Sequence, residues 1–355
     1  MLAPGATIGI LGGGQLGRMT ALAAARLGYR VHVFAGEADS PAAQVCGAAT
    51  VASYDDEAAL ARFAAAIDVA TFEFENIPAD AVRRVAALKP VMPRPEILEI
   101  SQDRIKEKDF LRTIGVATTA YQEIGDVVAL DGALSKLTGR AVLKSARMGY
   151  DGKGQVSISA ATAPDEAWRR MGAPRGILES FVDFQCEVSV IVARAADGAM
   201  AVYPPVENRH VNHILDTTIA PASLPPATAR QAETIARDIA ARLGLVGVLA
   251  VEMFVTRDGR LLVNELAPRP HNSGHWTIDA CATSQFEQLV RAVCGLPLGS
   301  TERHADAVMK NLIGDEVETW REAIADPAAR LHLYGKHTVS PGRKMGHVTR
   351  LKPLG

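Results

Sequence analysis

The chain has 355 residues, 48% hydrophobic and 22% charged, which suits two or three globular domains with ample buried core. Its 38 basic and 40 acidic side chains leave a net charge of -2, so no global field argues for a nucleic acid or a membrane surface as partner. Cys46, Cys186, Cys281 and Cys294 lack CxxC spacing and read as reduced thiols, the N-terminus has no basic secretory region, and no apolar run reaches the ~18–20 residues of a membrane helix, so a soluble cytoplasmic protein is expected.

Residues 6–98 alternate strand and helix signals, with strands over 6–11, 29–34, 50–52 and 69–74 and helices over 15–27, 55–67 and 79–88. This βαβ pattern predicts an α/β chain whose N-terminal domain, residues 1–98, is a doubly wound, Rossmann-like parallel sheet. The first turn, Gly12 to Gly17, satisfies GxGxxG between a strand and a helix. A dinucleotide site also needs an acid at the end of the second strand, and Glu37, two residues past Ala35, is a loose match; the loop could still offer its N–H groups to a phosphate. A charged helix over 101–114 leads into a second unit, 99–183, with strands near 141–144 and 155–159. A third unit, 184–355, opens with a strand over 187–192, and a proline-rich surface connection spans 220–227.

In the second unit a strand ends in Lys144 and is followed by SARMGYDGKGQ. No GK[ST] opens a helix, so this is not a Walker A loop. A lysine fixed on a strand beside a glycine-rich cover, residues 149–155, is nevertheless a workable way to hold ATP phosphates; the plainer alternative is a flexible hairpin with a solvated basic tip. Backbone groups of Glu179, Ser180, Phe181 and Val182 could read a purine edge, and the Glu187 carboxylate could accept both ribose hydroxyls, although each residue alone is more often plain surface.

The most informative stretch is GVLAVEMFVTRDGRLLVNELAPRPHNSGH, residues 247–275. Asp258-Gly259 between strand-like runs over 248–256 and 260–266 predicts a two-residue hairpin turn. That loop pairs Arg257 with Arg260 and, counted back along both strands, sets Glu252 opposite Glu265 on one face. Two opposed carboxylates beside Phe254 and Val263 repel unless a cation lies between them. Hard oxygen ligands without a nearby cysteine suit Mg²⁺ or Mn²⁺, and Mg²⁺ usually arrives with substrate phosphates. An edge hairpin with two solvated glutamates is the alternative. Beyond it, Arg269, His271, Asn272, Ser273 and His275 fall in a segment broken by Pro268, Pro270 and Gly274, which concentrates anion-binding and proton-handling groups. The histidines could be ordinary loop residues; a zinc pair finds no HExxH helix or cysteine partner.

Lys144, GYDGKGQ (149–155), Glu179 to Val182, Glu187, Glu252 and Asn264-Glu265 occur in the order found in the ATP-grasp superfamily. GILGGGQLGRM (9–19), TFEFEN (71–76) and YGKHTVSPGRKMGHVT (334–349) narrow the match, and over essentially its whole length the chain closely resembles the 5-(carboxyamino)imidazole ribonucleotide synthase family of purine biosynthesis. The resemblance implies an ATP-grasp fold behind the Rossmann-like domain. It implies a reaction in which ATP, bicarbonate and 5-aminoimidazole ribonucleotide yield the carboxyamino product, ADP and phosphate by way of carboxyphosphate. It further implies that Arg104, Lys144, the loop Gly149, Tyr150, Asp151, Gly152, Lys153, Gly154 and Gln155, then Glu179 to Val182, Glu187, His210, Asn264 and Glu265 bind ATP. Glu252 and Glu265 would hold Mg²⁺ (or Mn²⁺). Arg269, His271 and Asn272 look like the bicarbonate or carboxyphosphate pocket, with Asp151 close to the chemistry. Tyr150, Asp151, Lys336 and Arg343 look like ligands of the ribonucleotide, and Glu73 lines the same cleft; Asn76 stands where relatives often carry histidine. A homodimer is also implied. A formate-dependent glycinamide ribonucleotide transformylase is the nearest rival, opposed by the GYDGKGQ loop and the short C-terminus. A nicotinamide-dependent dehydrogenase would leave the opposed glutamates and Lys144 unexplained.

Overall fold

The computed structural model describes residues 1–137, 139–149, 152–159 and 161–354. Tyr150 and Asp151 therefore lie outside the described residues. The N-terminal strands form a four-stranded parallel sheet in the order Ala48–Val51, Arg30–Ala35, Thr7–Leu11, Val69–Phe72. The strand period of two sends Ile8 and Ile10 to the face packed by helix Gln15–Arg26, and Leu11, Phe34 and Phe72 to the face packed by Glu57–Ala65 and Ala79–Ala86. The sheet is covered on both faces, as the alternating pattern predicted.

The expected helix over 101–114 is instead two helices, Pro95–Ser101 and Arg104–Thr113. Asp103 separates them: its backbone is extended and its carboxylate accepts the Ile105 and Lys106 N–H groups at 3.1 and 3.3 Å. An aspartate that can satisfy the orphan donors of a new helix competes with its continuation. Next comes a four-stranded antiparallel sheet, Tyr121–Ile124, Gly176–Ser180, Ala141–Ser145 and Gln155–Ile158, with helices Val127–Leu134 and Pro164–Met171 packed on its apolar side.

The remaining chain builds a nine-stranded antiparallel sheet. Its order is Leu261–Ala267, Gly247–Thr256, Phe184–Arg194, Val206–Val211, Ile214–Ala220, Asp306–Ile313, Lys344–Lys352 and Ala329–Leu333, with Met200–Val202 also paired to Phe184–Arg194. Helix Pro226–Leu243 covers one face and Gln285–Val293 the other. Pro226 opens that first helix, so the expected surface connection over 220–227 shrinks to 221–225; proline at the first helical position loses no hydrogen bond. Among the described residues no helix is long and apolar enough to cross a membrane.

The hairpin closes differently from the two-residue reading. The Thr256 N–H bonds the Arg260 carbonyl at 2.9 Å and the loop is Arg257, Asp258 and Gly259, with Gly259 at φ +83°. Met253 then faces Val263, one residue off the expected register, until a bulge between Glu252 and Met253 restores the pairing of Glu252 with Glu265. The longer turn and the extra residue, Asn264, cancel. The opposed glutamates are therefore present, and the bulge adds Asn264 beside Glu265 across from Glu252.

Candidate active site

The first glycine loop is closed by the protein itself. Gly14 and Gly17 donate their N–H groups to the two oxygens of Glu73, at 2.8 and 3.2 Å. The expectation that these groups remain free for a phosphate is thus corrected: a carboxylate from the end of the fourth strand takes the anion's place. Burial raises the pKa of Glu73, and the two backbone bonds only partly offset it. Two residues on, Glu75 forms an ion pair with Arg269; burial would raise the Glu75 pKa, but Arg269 outweighs it and holds it below the usual value. TFEFEN thus supplies two acids on alternate positions, and the sequence reading singled out only the first.

The carboxylates of the hairpin each find a partner, so the direct repulsion expected between them is relieved within the chain. Glu265 lies 2.9 Å from Arg104 and Glu252 lies 2.8 Å from His271 Nε2. Burial opposes ionisation of Glu265, yet the Arg104 guanidinium holds its carboxyl well below the usual range. Arg104 owes its position to the Asp103 cap, which starts the helix there. The same helix presents Glu107 and Lys108 at the i+3 and i+4 positions, on the face of Arg104. Glu107 accepts the Leu266 N–H at 2.6 Å, and Lys108 donates to the Thr118 and Thr119 hydroxyls and to the Asn264 carbonyl at 2.8, 3.1 and 3.1 Å. Helix Arg104–Thr113 therefore clamps the bulged strand on both sides of Asn264-Glu265. Charged residues at i, i+3 and i+4 were the available signal for Glu107 and Lys108, which the sequence reading passed over. Burial and Glu265 push the Glu107 pKa up, while burial lowers that of Lys108 against the pull of Glu179.

Lys144 leaves the end of its strand to meet Glu179 at 2.8 Å; Lys108 sits 3.7 Å from the other oxygen of Glu179. The Glu179 carboxylate, buried and held ionised by these lysines despite its burial, orients Lys144. Ser180 and Phe181 bond Ala120 and Arg140 through their backbones, and Arg140 stacks 3.9 Å over the Phe181 ring. A cavity of about 510 Å³ lined by Ser180, Phe181, Val182, Thr118 and Leu262 opens on this segment; Lys144, Glu252 and Glu265 do not line it. Glu187 and His210 face each other across neighbouring strands at 3.3 Å; burial resists protonation of the imidazole, but Glu187 outweighs it and raises the His210 pKa. A Cβ at Gly149 would lie 2.9 Å from Ser145 Oγ and 3.7 Å from Arg104, and one at Gly152 2.6 Å from His213, so both positions need glycine's small volume. Gly154, after Lys153, accepts the Ser145 N–H at 2.8 Å through its carbonyl and leads into Gln155 of the next strand.

Between these parts lies a narrow polar cavity of about 30 Å³, lined among others by Glu75, Arg104, Gly149, Glu265 and Arg269. Asn264 Oδ1 and both side-chain polar atoms of Asn272 are buried without a hydrogen-bond partner. Buried amides ordinarily find a partner, and a polar ligand bound there would satisfy them. In the C-terminal segment, Gly335 accepts from Gln44, which also binds Arg18, so the segment carrying Lys336 is docked against the first glycine loop's helix. Lys336 donates to the Lys344 carbonyl at 2.6 Å and Arg343 to the Thr338 carbonyl at 2.8 Å, the two basic residues flanking a turn with Gly342 at φ +77°. His275 departs from the expectation of a loop group: it is buried, tilted against His347 at 4.9 Å, and burial drives its pKa well below the usual value.

Comparison with known proteins matches three family models in sequence: a ribonucleotide synthetase preATP-grasp domain over residues 5–102, an ATP-grasp domain over 109–286, and a phosphoribosylaminoimidazole carboxylase C-terminal domain over 307–353. The chain is 51% identical over 354 residues to the N5-carboxyaminoimidazole ribonucleotide synthase of Brucella melitensis, covering 99% of this chain and 98% of that protein. An N5-carboxyaminoimidazole ribonucleotide synthetase crystallised with ADP superposes with a TM-score of 0.96 at 44% identity, over 99% of this chain and 94% of that one. An Aspergillus clavatus N5-carboxyaminoimidazole synthase in complex with ADP and 5-aminoimidazole ribonucleotide superposes with a TM-score of 0.90 at 31% identity, again over 99% and 94%.

Proposed function

Because the chain belongs to the N5-carboxyaminoimidazole ribonucleotide synthase family of ATP-grasp enzymes, we propose that it joins bicarbonate to the exocyclic amine of 5-aminoimidazole ribonucleotide at the expense of ATP, in the cleft described above. ATP binding follows from the ATP-grasp fold. The observation that carries the residue-level reading is the bulged hairpin, which sets Glu252 against Asn264-Glu265 within reach of Arg104. Bicarbonate oxygen takes the γ-phosphoryl group and ADP leaves; the resulting carboxyphosphate splits to CO₂ and phosphate, and the amine's electron pair forms the new C–N bond while its proton leaves.

Each step needs charge handling and dryness rather than a protein nucleophile. Lys144, held by Glu179, and Arg104 are the cations for the ATP phosphates, and Glu187 with His210 is the pair for the ribose. Arg269, fixed by Glu75, and Asn272, with both polar atoms unsatisfied, are suited to a small planar anion. The donor set of two carboxylates and the orphaned Asn264 oxygen fits Mg²⁺ or Mn²⁺, and such an ion would neutralise phosphoryl charge there. Closure of the glycine-rich cover would keep water from an intermediate that hydrolyses readily. Lys336 and Arg343 are the cations for the ribonucleotide phosphate, with Glu73 on the same cleft. A cytoplasmic homodimer organised as units 1–98, 99–183 and 184–355 completes the proposal.

The test is ADP release from ATP and bicarbonate, with and without 5-aminoimidazole ribonucleotide. Release that depends on both, with the carboxyamino product formed, is the expected result; release indifferent to the ribonucleotide counts against the reading.

A further inference from the structure

Four of the chain's nine histidines gather about Asp279, in the short helix Thr277–Ala280 that follows Arg269, His271 and Asn272 in the chain. His332 Nε2 lies 2.8 Å from Asp279 Oδ2, and His304 Nε2 lies 3.0 Å from the Asp279 backbone carbonyl. His332 and His347 are paired directly across strands Ala329–Leu333 and Lys344–Lys352, so both project from one face of the sheet. His275 completes the group, 4.9 Å from the His347 ring. One ligand atom from each of Asp279, His332 and His347 lies within 4.8 Å of the other two. Among the described residues no other trio of histidine, cysteine, aspartate or glutamate meets at that distance. The cluster is not a solvated surface patch, because His347 is fully buried. Its Nδ1 lies 2.9 Å from the Tyr334 hydroxyl, and its Nε2 is without a partner. Buried ring nitrogens ordinarily find a partner, and an ion beside Asp279 would supply one.

The donor set selects the ion. Two imidazole nitrogens and one carboxylate oxygen suit a borderline divalent ion such as Zn²⁺, Ni²⁺ or Co²⁺, whereas Mg²⁺ and Ca²⁺ prefer oxygen alone. Tyr334 fills the role of the outer partner that a ligating histidine needs: with its hydroxyl on Nδ1, Nε2 is the nitrogen left to bind. We propose that Asp279, His332 and His347 form a second cation site, selective for a transition-metal ion of the Zn²⁺ class and separate from the hairpin carboxylates. Tetrahedral coordination at about 2.0–2.2 Å per ligand sets the donors about 3.3–3.5 Å apart, so the trio draws in on binding. The His332 and His347 rings stack at 4.5 Å with planes 13° apart, whereas an ion lies in the plane of each ring that binds it. His332, whose side chain is 26% exposed, therefore turns out of the stack to bind. Its strand and that of His347 bracket residues 334–343, which carry Lys336 and Arg343. An ion shared with Asp279 would tie that segment to the short helix after the proposed carboxylation pocket.

The test is calorimetric titration of Zn²⁺ into the full-length, metal-stripped protein. The hairpin site is silenced in two ways, by Glu265→Gln and, in the parent, by excess Mg²⁺. In both cases one equivalent of Zn²⁺ should bind with micromolar affinity or better, and Mg²⁺ should not compete. Asp279→Asn, which keeps the shape of the side chain, and His332→Ala should each weaken that binding about tenfold or more, since even an outer partner of a metal ligand is worth about ten- to a hundredfold in affinity. A ligand that binds only the folded state stabilises it, so Zn²⁺ should raise the urea midpoint of the Glu265→Gln protein and leave that of Glu265→Gln with Asp279→Asn unmoved. Absence of zinc uptake once the hairpin is silenced overturns the proposal, and this arm needs no variant at Asp279 or His332 to fold. Uptake undiminished in Asp279→Asn assigns the ion to other histidines and overturns it as well. Mg²⁺ that displaces the bound Zn²⁺ overturns the assignment of the ion's class.

Discussion

At the scale of single residues the site consists of charges that hold one another until substrates arrive. Glu265 is the clearest case, because its carboxylate is both Arg104's partner and half of the proposed metal pair. Glu265→Ala should remove ADP formation while the protein stays folded, since metal neutralisation of phosphoryl charge contributes several kcal/mol; near-normal turnover at saturating Mg²⁺ in a folded variant would reject the hairpin site. The Arg343 guanidinium donates to the Thr338 backbone carbonyl and sits beside the Pro341-Gly342 turn. A charge-assisted hydrogen bond contributes about 1.5–3 kcal/mol, so Arg343→Ala should raise the KM for 5-aminoimidazole ribonucleotide roughly ten- to a hundredfold. Steady-state kinetics with each substrate varied separately checks this, and a KM for ATP that rises in step would assign the residue elsewhere.

At the scale of elements, two local devices shape the cleft. One is the bulge at Asn264, held by Glu107 and Lys108 of a single helix face. The other is the glycine turn plugged by Glu73. Gly12 has φ +109°, and a Cβ there would lie 2.5 Å from Glu73 Cγ. Gly12→Ala should therefore destabilise the fold by about 1–3 kcal/mol through backbone strain, visible as a lower urea midpoint, with ΔG indistinguishable from the parent marking the turn as slack. Since the donors of that turn are already taken, NADH titrated into the unmodified protein should give no saturable fluorescence change; micromolar binding would reopen the dinucleotide reading.

At the scale of the whole molecule, the buried imidazoles tie stability to pH. His275 and His347 are fully buried and burial pushes both pKa values well below the usual 6.5. His271, His332, Lys344 and Arg269 all disfavour a charge on His275, and Asp279, the carboxylate beside His347, is engaged by His332 at 2.8 Å. Below pH 6.5 the unfolded chain takes up protons that the folded one refuses, so the contribution of these groups is present above 6.5 and lost as pH falls. The slope reaches about 1.4 kcal/mol per pH unit for each histidine. Urea midpoints of the metal-free protein should drop between pH 6.5 and 5.5, with the raised pKa values of Glu107 (about 8) and His210 working in the opposite sense and offsetting part of the fall. A midpoint unchanged across that interval would mean that the imidazoles charge without cost.

Much of this protein follows from local chemistry and is legible along the chain. Period-two and period-3.6 patterning determined the parallel N-terminal sheet, and Asp258-Gly259 located the hairpin. The order of Lys144, the 149–155 loop, Glu187 and Asn264-Glu265 determined the family. The register of the hairpin was reached through two cancelling offsets, a three-residue turn and a one-residue bulge, because turn length and bulge position depend on how Lys108 and Glu107 grip the strand from 156–159 residues away. Tertiary structure alone decided that Glu73 fills the glycine turn, that Glu75 steadies Arg269, and that Asp279, His332 and His347 come together. These partners are polar side chains brought together by strand order and burial. A sequence lists such groups but carries no signal for which of them will be left facing one another once water is excluded.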